Sequence, residues 1–222
     1  MRKGLTEVVF ILDRSGSMRG LEADTIGGFN SMLDKQKKED GEAYISTVLF
    51  DDVSDVIYDR VSIDTIEPMT DKQYYVRGCT ALLDAVGGAI HHIGKIHKKA
   101  ADEDVPEKTM FIITTDGMEN SSRKYDYDKV KKMIEKKQKN GWEFIFLGAN
   151  IDAAKEAGKF GISESRAFNY ECDGAGTRLN YATLGRAVSA FRSCKANAEF
   201  DMALDECMAP VKEDYKTRHK GN

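Results

Sequence analysis

Long apolar runs are missing from this chain. Stretches such as Val8-Val9-Phe10-Ile11-Leu12 fall far short of the ~18 residues that a membrane span requires. The first seven residues carry basic charge but no apolar segment of the signal type before the first acidic residue. Cysteine is scarce, and Cys79, Cys172, Cys194 and Cys207 are widely spaced, with no Cys-x-x-Cys and no nearby histidine pair to read as a zinc site. Reduced, mostly packed thiols in the cytoplasm are the expectation. An excess of one charge is also absent: 33 basic residues face 37 acidic ones, for a net charge of -4. That excludes a globally basic nucleic-acid binder, and a hydrophobic fraction of 41% argues against disorder. What is left is a protein of 222 residues able to build a core without disulfides, either as one α/β domain or as two small ones.

Short apolar strands alternate with amphipathic helices. Residues 7 to 12 form a continuous apolar run ending at Asp13, as in a strand buried on both faces. Leu21, Ile26, Phe29, Met32 and Leu33 then recur at helical spacing. Strands are expected at 43–50 and 55–61, and the tight Asp51-Asp52 link between them implies an antiparallel hairpin at the sheet edge. A short helical piece after Pro68 precedes a helix over 81–99, and a strand over 108–115 ends on Asp116. Helix 127–140, strand 142–147, helix 152–159, strand 166–170 and helix 179–194 complete the pattern. The expected fold is α/β: a doubly wound, Rossmann-like, mostly parallel sheet of six strands with one antiparallel edge strand and helices on both faces. Residues 1–195 are read as the domain, and 196–222 as a charged tail with a helical turn or two and a frayed end.

In such sheets ligands bind beyond the carboxyl ends of the strands, where the strand order reverses. The first and fourth strands both end there in Asp. In Asp13-Arg14-Ser15-Gly16-Ser17 a carboxylate and two hydroxyls recur at i, i+2 and i+4, so an extended loop turns three oxygens the same way. Downstream, Gly78-Cys79-Thr80 precedes a helix and Thr114-Thr115-Asp116-Gly117 closes a strand. Hard oxygen donors without His or Cys suit Mg²⁺ or Mn²⁺ rather than zinc.

These ordered motifs resemble the metal-ion-dependent adhesion site (MIDAS) of von Willebrand factor A (vWA) domains, and the resemblance covers roughly residues 4 to 195. Asp13, Ser15 and Ser17 match the first motif, Thr80 the second and Asp116 the third, while Cys79 stands where a small residue is commoner. The resemblance implies a bound Mg²⁺ or Mn²⁺ that stays electrophilic, because hydroxyls and waters fill most of its positions. It further implies recognition of a protein partner through an exposed Asp or Glu, and no catalysis. Arg14, Arg19, Arg77, Glu119, Asn120 and Asn150 are the expected partner-binding rim, since an Arg beside the metal would attract a carboxylate. Asp152 is read as a rim residue or a helix cap, and Asp84 as a support for the metal ligands or a favourable charge in a first helical turn. Two other functions stay open: a metal-assisted hydrolase or phosphatase using Asp13 and Asp116, and an oligomerising scaffold with a structural metal. No nucleic acid or membrane is expected as a partner.

Other features read as structural. The lysines of 129–139 form a solvated helix face, with no aromatic platform beside them for nucleic acid. Gly174-Ala175-Gly176-Thr177 has neither P-loop nor dinucleotide spacing and reads as a loop. His92 and His97 are five apart, which does not place two ligands on one helical face. Ser15 and Ser17 lack a Gly-x-Ser-x-Gly elbow.

Overall fold

The computed structural model describes residues 1–219. Strands β1 (Arg2–Asp13), β2 (Glu42–Phe50), β3 (Ser54–Ser62), β4 (Pro106–Thr115), β5 (Trp142–Gly148) and β6 (Ala167–Asn169) form one sheet in the order β3-β2-β1-β4-β5-β6. Only the β2–β3 pair is antiparallel, and β3 is the edge strand, as the short link implies. Helices α1 (Glu22–Gln36), α2 (Leu82–Lys99), α3 (Tyr127–Gln138), α4 (Ala153–Lys159), α5 (Gly174–Ser193) and α6 (Asn197–Arg218) complete the chain. No helix of the described residues is long and apolar enough to cross a membrane.

The period-2 alternation of β1 explains the layering. Val8, Phe10 and Leu12 enter a core with Phe29, Met32 and Leu33 of α1 and with α5 and α6. Val9 and Ile11 enter the opposite core, with Val86 and Ile90 of α2, Val130 and Ile134 of α3 and Ala153 of α4. Both faces of β1 are therefore covered, which accounts for its unbroken apolar run. From β1 the chain crosses by α1 to β2 on one side, then by α2 to β4 on the other. The strand order thus reverses between the carboxyl ends of β1 and β4, side by side in register.

Three segments differ from the sequence reading. The stretch after Pro68 makes turns, not a helical piece. Gly174 to Thr177 is no loop but the first turn of α5, because Asp173 accepts the Gly176 N–H at 2.7 Å and caps it. The expected one or two turns of the tail are a 22-residue helix. Pro210 lies inside α6 and costs about 3 kcal/mol in a helix interior. Phe200, Leu204, Met208 and Val211, at helical spacing, are all buried, and burial of such side chains contributes roughly 1.5–3 kcal/mol each, so packing wins.

Candidate metal centre

Asp13 ends β1 with only 1% of its surface exposed. Its Oδ1 accepts the Ser15 N–H at 2.7 Å and its Oδ2 the Thr115 hydroxyl at 2.6 Å, an arrangement made possible by the pairing of β1 with β4. The next residues leave the strand in a single 3-10 turn, Gly16–Met18, anchored by buried Met18. Ser15 Oγ and Ser17 Oγ lie 3.0 Å apart, and the Ser17 hydroxyl donates to Asp116 Oδ1. Thr80 opens toward the same gap: a Cβ placed on Gly117 would stand 3.7 Å from both Ser17 Oγ and Thr80 Oγ1. The structure therefore brings Asp13, Ser15, Ser17, Thr80 and Asp116 together from three separate loops.

Burial pushes Asp13 up to about 6; the negative charge of Asp116 adds to this, while hydrogen bonds from Ser15 and Thr115 oppose it. Burial likewise raises Asp116, against hydrogen bonds from Ser17 and Cys172. Among the described residues no lysine, arginine or histidine pairs with either carboxylate. No group of three or more His, Cys, Asp or Glu side chains placed to hold a metal ion lies among them either, so the site's donors are two acids and hydroxyls. Two buried acids, three neutral hydroxyls and no internal cation fit the donor chemistry of a hard divalent ion.

The expected rim separates into three groups. Arg14 is 1% exposed, its Nε 2.8 Å from Asp51 Oδ2 and its Nη2 on Asp55, so it faces inward rather than toward a partner. Arg77 is exposed but shares both acids, at 2.6 Å from Asp51 and 3.3 Å from Asp55. The Glu119 carboxylate is fully used by the N–H groups of Leu83, Ser121 and Ser122 and by the Ser122 hydroxyl, and so caps α2, whose own preceding residue, Ala81, provides no side-chain cap. Asn120 Oδ1 accepts the Thr80 N–H at 2.9 Å while the Asn120 N–H returns a bond to the Thr80 carbonyl, which fixes Thr80 in place. Of the six, Arg19 is exposed with no side-chain partner among the described residues, while Asn150, exposed and in left-handed backbone at φ +55°, hydrogen-bonds Cys172 through its side chain. Asp152 caps α4, and Asp84 accepts three N–H groups from Arg123, Lys124 and Tyr125.

Sequence reasoning missed several contributors. Thr115 was quoted beside Asp116 without a role. Tyr74, whose hydroxyl donates to the Asp13 carbonyl at 2.6 Å, gave no signal at all. Cys172 donates to Asp116 Oδ2 at 3.5 Å, and burial together with the Asp116 charge pushes its thiol up to about 12.

No family model and no curated protein sequence matches the chain. Its structure is similar to proximal thread matrix protein 1 of the mussel byssus with a zinc-occupied MIDAS motif, at 16% identity and TM-score 0.58, covering 84% of this chain and 46% of that one. It is also similar to a von Willebrand factor type A protein from Catenulispora acidiphila, at 16% identity and TM-score 0.54, covering 83% and 42%. Manganese-loaded TRAP protein from Plasmodium vivax matches at 12% identity and TM-score 0.53, covering 80% and 72%. The chain spans less than half the length of the first two. With its six-stranded sheet and helices on both faces, the chain has the von Willebrand factor A fold.

Proposed function

We propose that the chain is a metal-dependent protein-binding module that captures an exposed Asp or Glu of a partner. The observation that carries this reading is the pair of buried carboxylates, Asp13 and Asp116, to which no cation of the described residues is bonded. Asp13, Ser15, Ser17, Thr80 and Asp116 would hold Mg²⁺ or Mn²⁺, which when bound offers an electrophilic position to an incoming carboxylate. The Ser15 N–H and the Thr115 hydroxyl orient Asp13, and Asn120 orients Thr80. Arg19 supplies an uncommitted positive charge on the rim, and Met118, 63% exposed beside Gly117, an apolar contact. The solved relatives support divalent metal at this kind of site: zinc occupies the MIDAS motif of the byssus protein, and manganese is loaded in TRAP.

We read the module as a binder rather than an enzyme. Metal-assisted hydrolases often place a general base, most commonly histidine, within reach of the cation. Of the four histidines, none is bonded to a donor of the site among the described residues. Four unpaired cysteines support a reducing, cytoplasmic compartment. Calorimetric titration of chelator-stripped protein with MgCl₂ and MnCl₂ tests the metal claim. Wild-type protein should bind and Asp13→Ala should not. No uptake by the wild type, or undiminished uptake by Asp13→Ala, overturns it. Capture of an acidic protein partner should then be lost on adding chelator.

A further inference from the structure

We propose that buried Arg14 is a positioning residue for Thr80, acting through the turn between β2 and β3; as a statement about the metal centre this rests on the function proposed above. The Arg14 guanidinium is anchored on Asp51 at 2.8 Å and on Asp55, and the Arg14 backbone N–H donates to the Phe50 carbonyl at 2.9 Å. Asp51 is held in turn by the Val53 N–H on Oδ1 and by Arg77 on Oδ2. The turn so fixed grips the chain on both sides of Thr80: the Cys79 N–H donates to Asp52 Oδ1 at 2.8 Å, and the Ala81 N–H to the Asp51 carbonyl at 2.8 Å. Gly78 permits this closeness, with φ +66° and room so limited that a Cβ would stand 2.6 Å from Asp52 Oδ2. The same segment is tied directly to the first motif, by the Arg77 N–H on the Arg14 carbonyl at 3.0 Å and the Gly16 N–H on the Gly78 carbonyl at 3.1 Å. Tyr75 completes the cluster, its ring 5.3 Å from the Arg14 guanidinium and 5.2 Å from that of Arg77.

The arrangement needs a planar fork. One guanidinium reaches two carboxylates on opposite sides of a hairpin turn, which a lysine ammonium on a flexible stem does not reproduce. A buried ion cluster is a poor way to gain stability, since apolar groups of similar volume often do as well. What it supplies here is geometry. Arg14 stands between two metal-site residues, Asp13 and Ser15, and its partners Asp51 and Asp55 belong to the turn that frames a third, Thr80.

The test compares Arg14→Lys, Arg14→Met, Asp52→Ala and Asp55→Ala with the wild type, each alone and in a Thr80→Ala background. Amide exchange is followed in chelator-treated protein, and Mn²⁺ affinity by calorimetry. Asp52→Ala gives the exchange rate of Cys79 with its acceptor gone. Asp55→Ala, which removes an exposed partner of Arg14 that bonds neither Cys79 nor Ala81, should speed exchange at both amides and keeps the test decisive where the buried arginine variants do not fold. Arg14→Lys and Asp52→Ala should speed exchange at Cys79 and, for Arg14→Lys, at Ala81 by about 10-fold or more while β4 amides are unchanged. They should lower Mn²⁺ affinity by about 10-fold, as loss of supporting contacts does at metal sites, and cost nothing further once Thr80 is alanine. Unchanged exchange at Cys79, equal acceleration throughout the chain, or a full affinity loss that persists in the Thr80→Ala background each overturns the role. A wild type that takes up no Mn²⁺ overturns the function proposed above; the exchange measurement still decides whether Arg14 positions Thr80.

Discussion

The two halves of β1 bury charge in opposite ways. Near its start, Glu7 is 0% exposed yet neutralised by the chain itself: Arg60 Nε lies 2.8 Å from Oε1, and His97 Nε2 contacts Oε2. Arg60 reaches it because β3 bulges there, with Arg60 in left-handed backbone at φ +52° and its N–H on Ser46 Oγ. That conformation is costly for a residue other than glycine, so the strain goes with a structural need. At the other end, Asp13 and Asp116 bond only hydroxyls, N–H groups and a thiol among the described residues. A buried acid with its own cation is finished structure. A buried acid pair without one is the feature on which the proposed cation site rests.

That contrast is open to experiment. Arg60→Met should destabilise the protein by about 3 kcal/mol in urea unfolding, because it takes a partner from a buried charge, and should leave Mn²⁺ affinity unchanged. A parallel loss of affinity would break the comparison by coupling the two ends. Next in size, Mn²⁺ at about 100 times its dissociation constant should stabilise the wild type by roughly 2.7 kcal/mol and Asp13→Asn by nothing. Metal-free Asp13→Asn should be at least as stable as metal-free wild type, the reverse of what Arg60→Met does. Glu119→Ala should cost about 1 kcal/mol, the usual size of a lost helix cap, read from the urea midpoint. Smallest of all, Arg19→Ala should stay within about 0.5 kcal/mol of wild-type stability, and its effect should show only as slower association with an acidic partner.

Much of this was legible from local pattern. Apolar runs ending on Asp13 and Asp116 placed both acids at strand ends, and the strand–helix alternation brought those ends together at the switch point. Arg14 was not legible as a buried residue, since its partners lie 37 and 41 positions away and a loop arginine reads as solvated. Glu119 resembled a rim charge for the same reason: the bond by which it caps α2 comes from Leu83, 36 residues earlier. The first turn of α5 was hidden by glycines of poor helix propensity. Gly176 is nevertheless needed there, because a Cβ would stand 2.2 Å from the Glu171 carbonyl oxygen.

The stitching between the start of α2 and the loop after β4 has a consequence for how variants combine. Glu119 receives Leu83, Asp84 receives Arg123 to Tyr125, and Asn120 and Thr80 exchange bonds, so the two segments are laced from both directions. Positions 84, 119 and 120, whose side chains make the laces, then behave as a single mutational unit. Breaking any one lace loosens the same body, and a second substitution there should add little, whereas one at Arg60, bonded to Glu7 away from this body, should add in full.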